Sequence, residues 1–213
     1  MTRVKICGLM SRQDLEYALA AGADAVGFVV EIDSSRHCLS AAAAADLIRQ
    51  VPIYSKSVAV INPKDVGEAI RLARETGAEV LQVHGSLSPG ELAELKGRIS
   101  QKIIAAVAAQ PGGKEARRYA AVADAVLLDS MVGGTLGGTG MVHDWTVSAE
   151  IVASLRIPLI LAGGLYPGNI AQAIKRVKPY AVDVSSGIES EGRKDPAKIL
   201  SFLQAVRACP SPL

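Results

Sequence analysis

The chain has 213 residues, 49% of them hydrophobic, with 23 Lys and Arg against 21 Asp and Glu for a net charge of +2. That is long enough for one well-buried core, and the apolar residues fall in short runs, none near the roughly 18 that a membrane span needs. The small, dispersed charge and the scarcity of Trp and Phe argue against a nucleic-acid surface; three cysteines without metal-ligand spacing, behind an N-terminus unlike a signal peptide, suit a cytoplasmic protein.

In chain order, short apolar runs alternate with helical patterns. Val4-Lys5-Ile6-Cys7 is the first run, and Gly22-Ala23-Asp24 leads into the second at 25–29. Ser40 then caps an alanine-rich helix ending near Gln50. The third run is 57–60, after which Asn62-Pro63 reads as a cap followed by Pro. Gly77-Ala78-Glu79 leads into the fourth at 80–83, and Ser88-Pro89-Gly90-Glu91 supplies an N-cap, a Pro at the first helical position and a Glu to close a capping box. Runs at 102–107, 125–128, 157–162 and 181–184 make eight, and Asp195-Pro196 opens the last helix. The repeated Ala-Asp or Ala-Glu lead-in is an internal echo, and near-continuous apolar strands suit a parallel sheet covered by helices. An open doubly wound sheet would want an early Gly-x-Gly-x-x-Gly turn, which is missing. The pattern predicts an α/β protein, a single-domain (β/α)8 TIM barrel over 1–213, with a short tail from about 208.

In such a barrel ligands sit at the C-terminal ends of the strands. Polar groups gather there: Lys5 and Cys7 on the first strand, Gln82 and His84 on the fourth, Asp129 on the sixth, Asp183 with Ser185 and Ser186 on the eighth. Gly163-Gly164 and Ser185-Ser186-Gly187 follow the last two strands, where unhindered amides could cradle a phosphate; tight-turn geometry is the plainer alternative. Asp129 ends an apolar run, where a carboxylate is costly unless it serves as an acid, a substrate contact or a helix cap. Cys7 could be a space-filling core residue, but strand alternation puts Lys5 on its face, and a nearby cation favours a proton-accepting thiolate. Arg36 has a planar fork suited to a carboxylate, although a surface Arg would look the same. Gly133 to Gly140 is too glycine-rich for a helix and could form a loop closing over substrate. His37 and His143 lack a matching ligand set, so neither a metal nor an organic cofactor is expected.

Lys5-Ile6-Cys7-Gly8, Gln82-Val83-His84-Gly85, Leu128-Asp129-Ser130, Gly138-Thr139-Gly140 with Asp144-Trp145, Leu161-Ala162-Gly163-Gly164-Leu165, and Val182-Asp183-Val184-Ser185-Ser186-Gly187-Ile188-Glu189 with Lys194-Asp195 occur in order across almost the whole chain. In this combination the sequence resembles the phosphoribosylanthranilate isomerase family. The resemblance implies an Amadori rearrangement in tryptophan biosynthesis, with Asp129 as general acid and Cys7 as general base. It also implies Arg36 on the anthranilate carboxylate, Asp183 on sugar hydroxyls, and Gly138, Gly163, Gly164, Ser185 and Ser186 around the phosphate. Lys5, Gln82 and His84 are expected among the substrate contacts. The iminium nitrogen is an electron sink, so the chemistry calls for no cofactor. Two departures stand out: Ser34-Ser35-Arg36-His37 replaces the family's Pro-containing loop with an aromatic after the Arg, and Met141-Val142-His143 occupies the place of an aromatic. The only partner expected is a small phosphorylated substrate; a homodimer and a monomer are both compatible with the helix faces. Another phosphosugar barrel enzyme and a catalytically silent binding module are the rival readings.

Overall fold

The computed structural model describes residues 1–129, 131–132, 135–136 and 144–209. Among the described residues, eight parallel barrel strands alternate with eight helices. The strands are β1 (Arg3–Ile6), β2 (Ala25–Val30), β3 (Lys56–Ile61), β4 (Val80–His84), β5 (Lys102–Ala108), β6 (Ala125–Asp129), β7 (Leu159–Leu161) and β8 (Ala181–Val184). Each pairs with its neighbours in the chain, and β1 pairs with both β2 and β8, so the sheet closes on itself as a (β/α)8 barrel.

The helices are α1 (Arg12–Ala21), α2 (Ala41–Ile48), α3 (Val66–Thr76), α4 (Pro89–Arg98), α5 (Lys114–Ala120), α6 (Trp145–Ser154), α7 (Ile170–Val177) and α8 (Pro196–Arg207). Among the described residues, no helix is long and apolar enough to cross a membrane. Most starts follow the sequence. Ser40 Oγ accepts from Ala43 N, Ser88 and Glu91 form a reciprocal capping box, and Asp195 Oδ1 accepts from Ala197 N and Lys198 N. The third helix departs from expectation. Asn62-Pro63 does not cap it; Asp65 does, accepting from Glu68 N at 2.8 Å, while the Glu68 carboxylate reaches back to Lys64 N. Asp65, with a Glu three residues on, takes the cap in place of Asn62.

Period-two alternation divides the strand residues between two layers. Val4, Ile6, Phe28, Leu81 and Ile103 face outward into the main core with Leu15, Leu92 and Phe202 from the helices. Val58, Ile104, Leu127, Ile160 and Ala181 form a separate cluster inside the barrel. Moving up by two from these interior residues leads to Val60, Ala106, Asp129, Ala162 and Asp183, so the layer above the aliphatic floor stays apolar on three strands and carries a carboxyl group on β6 and on β8.

Candidate active site

The polar residues follow from that alternation. Lys5 and Asp183 are register partners on β1 and β8, and Lys5 Nζ donates to Asp183 Oδ2 at 2.9 Å, both side chains being buried. Cys7 stands one inward step above Lys5 and is tied down by its N–H donating to Val184 O at 2.9 Å. Gly27 on β2 makes room for both: a Cβ there would lie 2.8 Å from Cys7 Sγ, 2.8 Å from Lys5 Cε and 3.1 Å from Lys5 Nζ. Burial pushes the Cys7 thiol up, and the Lys5 charge pulls it back without cancelling the effect. For Lys5 itself, burial disfavours the ammonium, but the Asp183 carboxylate and Cys7 outweigh it and hold the amine above its ordinary value. Lys5, expected among substrate contacts, is thus turned to Asp183 and Cys7.

Gln82 and His84 share the interior face of β4, with Gln82 Nε2 2.8 Å from His84 Nε2. Burial, then the Lys5 charge, bring His84 down to about 4, so the ring is neutral and the amide donates to it. Among the described residues, Gln82 Oε1 and Asp183 Oδ1 are buried acceptors without a hydrogen-bond partner. Asp129 is buried at the top of β6. Going round the sheet, β6 is separated from β1 by β7 and β8, so Asp129 and Cys7 stand three strands apart round one mouth.

The turns after β7 and β8 meet. Gly163 and Gly164 both take positive φ, 85° and 64°, which a residue with a Cβ adopts only under strain. Asn169 Nδ2 donates to Gly164 O, and its Oδ1 accepts from Tyr166 N, which fixes the first turn. Gly187 touches it so closely that a Cβ would sit 1.8 Å from Leu165 O. Tight turn geometry and open backbone are both present. A cavity of about 600 Å³ opens beside these turns, walled by Gly164, Tyr166, Ser186, Gly187, Lys198 and Arg36. Cys7 and Asp129 are not in its wall. Ser185 lies beneath, its carbonyl and Oγ both accepting from the buried Lys194 Nζ at 3.1 and 3.3 Å.

Arg36 reaches over β1 to the loop after β8, where its Nη2 pairs with the buried Glu189. His37, the departure in that loop, packs against Gly8 and places Nε2 2.9 Å from Glu189 Oε1, close but poorly aligned for a hydrogen bond. The sequence reading did not single out Gly27, Glu189 or Lys194 as site residues. A glycine mid-strand was the one signal for the first; the other two were visible only as motif residues. Gly138, most of the glycine-rich segment (133–134 and 137–140) and Met141-Val142-His143 lie outside the described residues, as does Ser130.

Residues 4–205 match the family model for N-(5'-phosphoribosyl)anthranilate isomerase. A protein of that name from Methanothrix thermoacetophila is 56% identical over 98% of this chain and 100% of its own, and one from Methanosarcina acetivorans is 40% identical over 97% and 93%. Among solved structures, phosphoribosylanthranilate isomerase from Thermotoga maritima superposes with a TM-score of 0.85 at 31% identity, covering 97% of this chain and 99% of that one. Another, solved with reduced 1-(o-carboxyphenylamino)-1-deoxyribulose 5-phosphate, gives a TM-score of 0.82 at 29% identity with the same coverage. With the family model spanning nearly all of the barrel and relatives matched end to end, the chain belongs to the N-(5'-phosphoribosyl)anthranilate isomerase family.

Proposed function

We infer that this chain converts N-(5'-phosphoribosyl)anthranilate into 1-(2-carboxyphenylamino)-1-deoxyribulose 5-phosphate, the Amadori rearrangement step of tryptophan biosynthesis. The observation that carries the reading is the pairing of a buried thiol at the end of β1 with a buried carboxyl at the end of β6, facing one mouth. An aldose-to-ketose conversion needs two proton transfers, one at the ring oxygen and one at C2, and these two groups are suited to them.

Asp129 protonates the ribose ring oxygen while the anilino nitrogen lone pair expels it, breaking the C1–O bond and leaving an iminium. Cys7 thiolate then takes the C2 proton. The electron pair of that C–H bond becomes the C1–C2 double bond of an enolamine as the C1–N π pair neutralises the nitrogen; a proton returned to C1 and loss of the C2 hydroxyl proton, which restores the acid, give the ketone. Lys5 supports the base: without a cation beside it, a thiol pushed up by burial would hold its proton too tightly. Asp183 serves twice, fixing Lys5 through Oδ2 and offering Oδ1 to a sugar hydroxyl, as Gln82 Oε1 does. His84, neutral in this setting, orients Gln82. Gly163, Gly164, Ser185 and Ser186 receive the phosphate, and Arg36 binds the anthranilate carboxylate. Holding the substrate by both ends places C2 between acid and base.

The test is a continuous anthranilate-fluorescence assay with the substrate generated in place in metal-free buffer. Enzyme-dependent loss above spontaneous hydrolysis, with the ketose identified as product, is the expected result. A folded sample that produces no ketose would overturn the reading.

A further inference from the structure

The geometry points to Glu189 as a positioning residue that presents Arg36 to the substrate carboxylate, giving one carboxylate oxygen to Arg36 and the other to the loop after β8. The two-residue strand Glu189–Ser190 follows the turn of 3-10 helix Ser186–Ile188 and pairs with Arg193–Lys194. Its first side chain is 4% exposed, whereas that of Arg36 is 56% exposed. Among the described residues, Oε2 meets only Arg36 Nη2. Oε1 accepts from Lys194 Nζ at 2.6 Å and lies beside His37 Nε2. The Glu189 carbonyl takes Lys198 Nζ at 2.7 Å.

A long side chain that is more than half solvated would otherwise sample many rotamers, and tethering one nitrogen removes much of that freedom before substrate arrives. The guanidinium has five N–H donors, so the tether leaves the others for a ligand. Burial disfavours the Glu189 charge, but His37 and Lys194 outweigh it and bring the group down to about 2, so it remains an acceptor throughout the working pH range. Lys194 and Arg36 together exceed the one negative charge, and Arg36 and Lys198 both line the cavity where an anionic ligand is expected. Neither residue appears in the proton-transfer chemistry, and this role rests on the assignment of Arg36 to the carboxylate.

Glu189→Gln separates the two functions. The amide oxygen can still accept from Lys194, but the amide nitrogen in place of Oε2 is a donor and releases Arg36. Binding is measured for two ligands, the reduced product analogue and its counterpart made from aniline, which lacks the carboxylate. E189Q is expected to weaken the first by about tenfold, the scale of one charge-assisted hydrogen bond, and the second by less than about twofold, with KM rising and kcat nearly kept. In an Arg36→Met background, E189Q should add almost nothing. Equal loss for both ligands, no loss, or tighter binding of the carboxylated one overturns the proposal, because a general structural or charge effect gives those patterns. If R36M weakens both ligands equally, the carboxylate assignment falls and the proposal with it; if R36M weakens the carboxylated ligand selectively and E189Q does not, only the proposal falls. Should E189Q not fold, E189Q with Lys194→Met removes both buried charges, and the ratio of the two affinities carries the same decision.

Discussion

Lys5 and Asp183 are joined twice, as register partners across β1 and β8 and as a buried ion pair with Nζ donating to Oδ2 at 2.9 Å. A barrel interior needs no ion pair for stability; aliphatic residues of similar volume serve as well or better. Its presence beside Cys7 fits the proposed base, since the Lys5 charge offsets part of the upward push that burial gives the thiol.

Breaking the pair on one side should therefore be costly in both respects. Lys5→Met strands the Asp183 carboxylate and is expected to lower unfolding free energy by about 3–5 kcal/mol in urea titrations. Lys5→Met with Asp183→Asn should recover part of that stability and no activity. Full activity in either variant would remove Lys5 from the base.

Cys7→Ala and Asp129→Asn should each reduce kcat by on the order of 10²-fold or more while the reduced product analogue binds within a few-fold of wild type. Because burial raises the Cys7 thiol, the reactive thiolate is a minor species near neutrality, and its fraction grows as pH rises. The wild-type kcat is expected to climb with pH on that limb, and a pH-independent kcat between 6 and 8 would assign the base elsewhere.

Much of this site was legible because strand alternation is simple. Lys5 and Cys7, Gln82 and His84, and Asp129 and Asp183 each stand an even number of residues from an interior neighbour, so the spacing that predicts strands also turns these groups inward. The caps at Ser40, Ser88 and Asp195 were equally local. What could not be read depends on convergence of distant segments. Glu189 meets Arg36 across 153 residues of sequence, and its role is invisible until the loops after β2 and β8 are seen to cross above Gly8. Gly27 has the same character: it is small because Lys5 and Cys7 need the volume, not because its own backbone demands it.

Gly27→Ala tests that statement. The added methyl would lie 2.8 Å from Cys7 Sγ and Lys5 Cε, and the flexible Lys5 stem can yield where the thiol's strand cannot. Stability should fall by about 1–3 kcal/mol, an ordinary overpacking cost, whereas a base displaced by about 1 Å can cost on the order of 10²-fold in kcat. Gly77→Ala is the control: unlike Gly27 it has a backbone that favours glycine, φ +63°, so a side chain there is strained, but nothing lies within 4 Å of the new methyl. It should lose stability alone. Comparable kcat losses in the two variants would show that Gly27 is not clearance for the base.

His84 gives a pH signature in stability. Its pKa is near 6.5 when unfolded and about 4 in the fold, so between those values the unfolded chain binds the extra proton and stability rises with pH. His84 therefore adds no penalty at neutral pH, and its penalty grows as pH falls from about 6.5 towards 4, reaching of order 3 kcal/mol at most. Glu189, held down to about 2, contributes in the adjoining window: its stabilisation is present above about 4.5 and is lost as pH falls towards 2. His84→Gln should flatten the first slope and leave the second, so that variant and wild type draw together, or cross, on acidification from pH 7 to pH 4. Urea midpoints at intervals across that range check it, and parallel curves would mean that the ring is not buried in its neutral form.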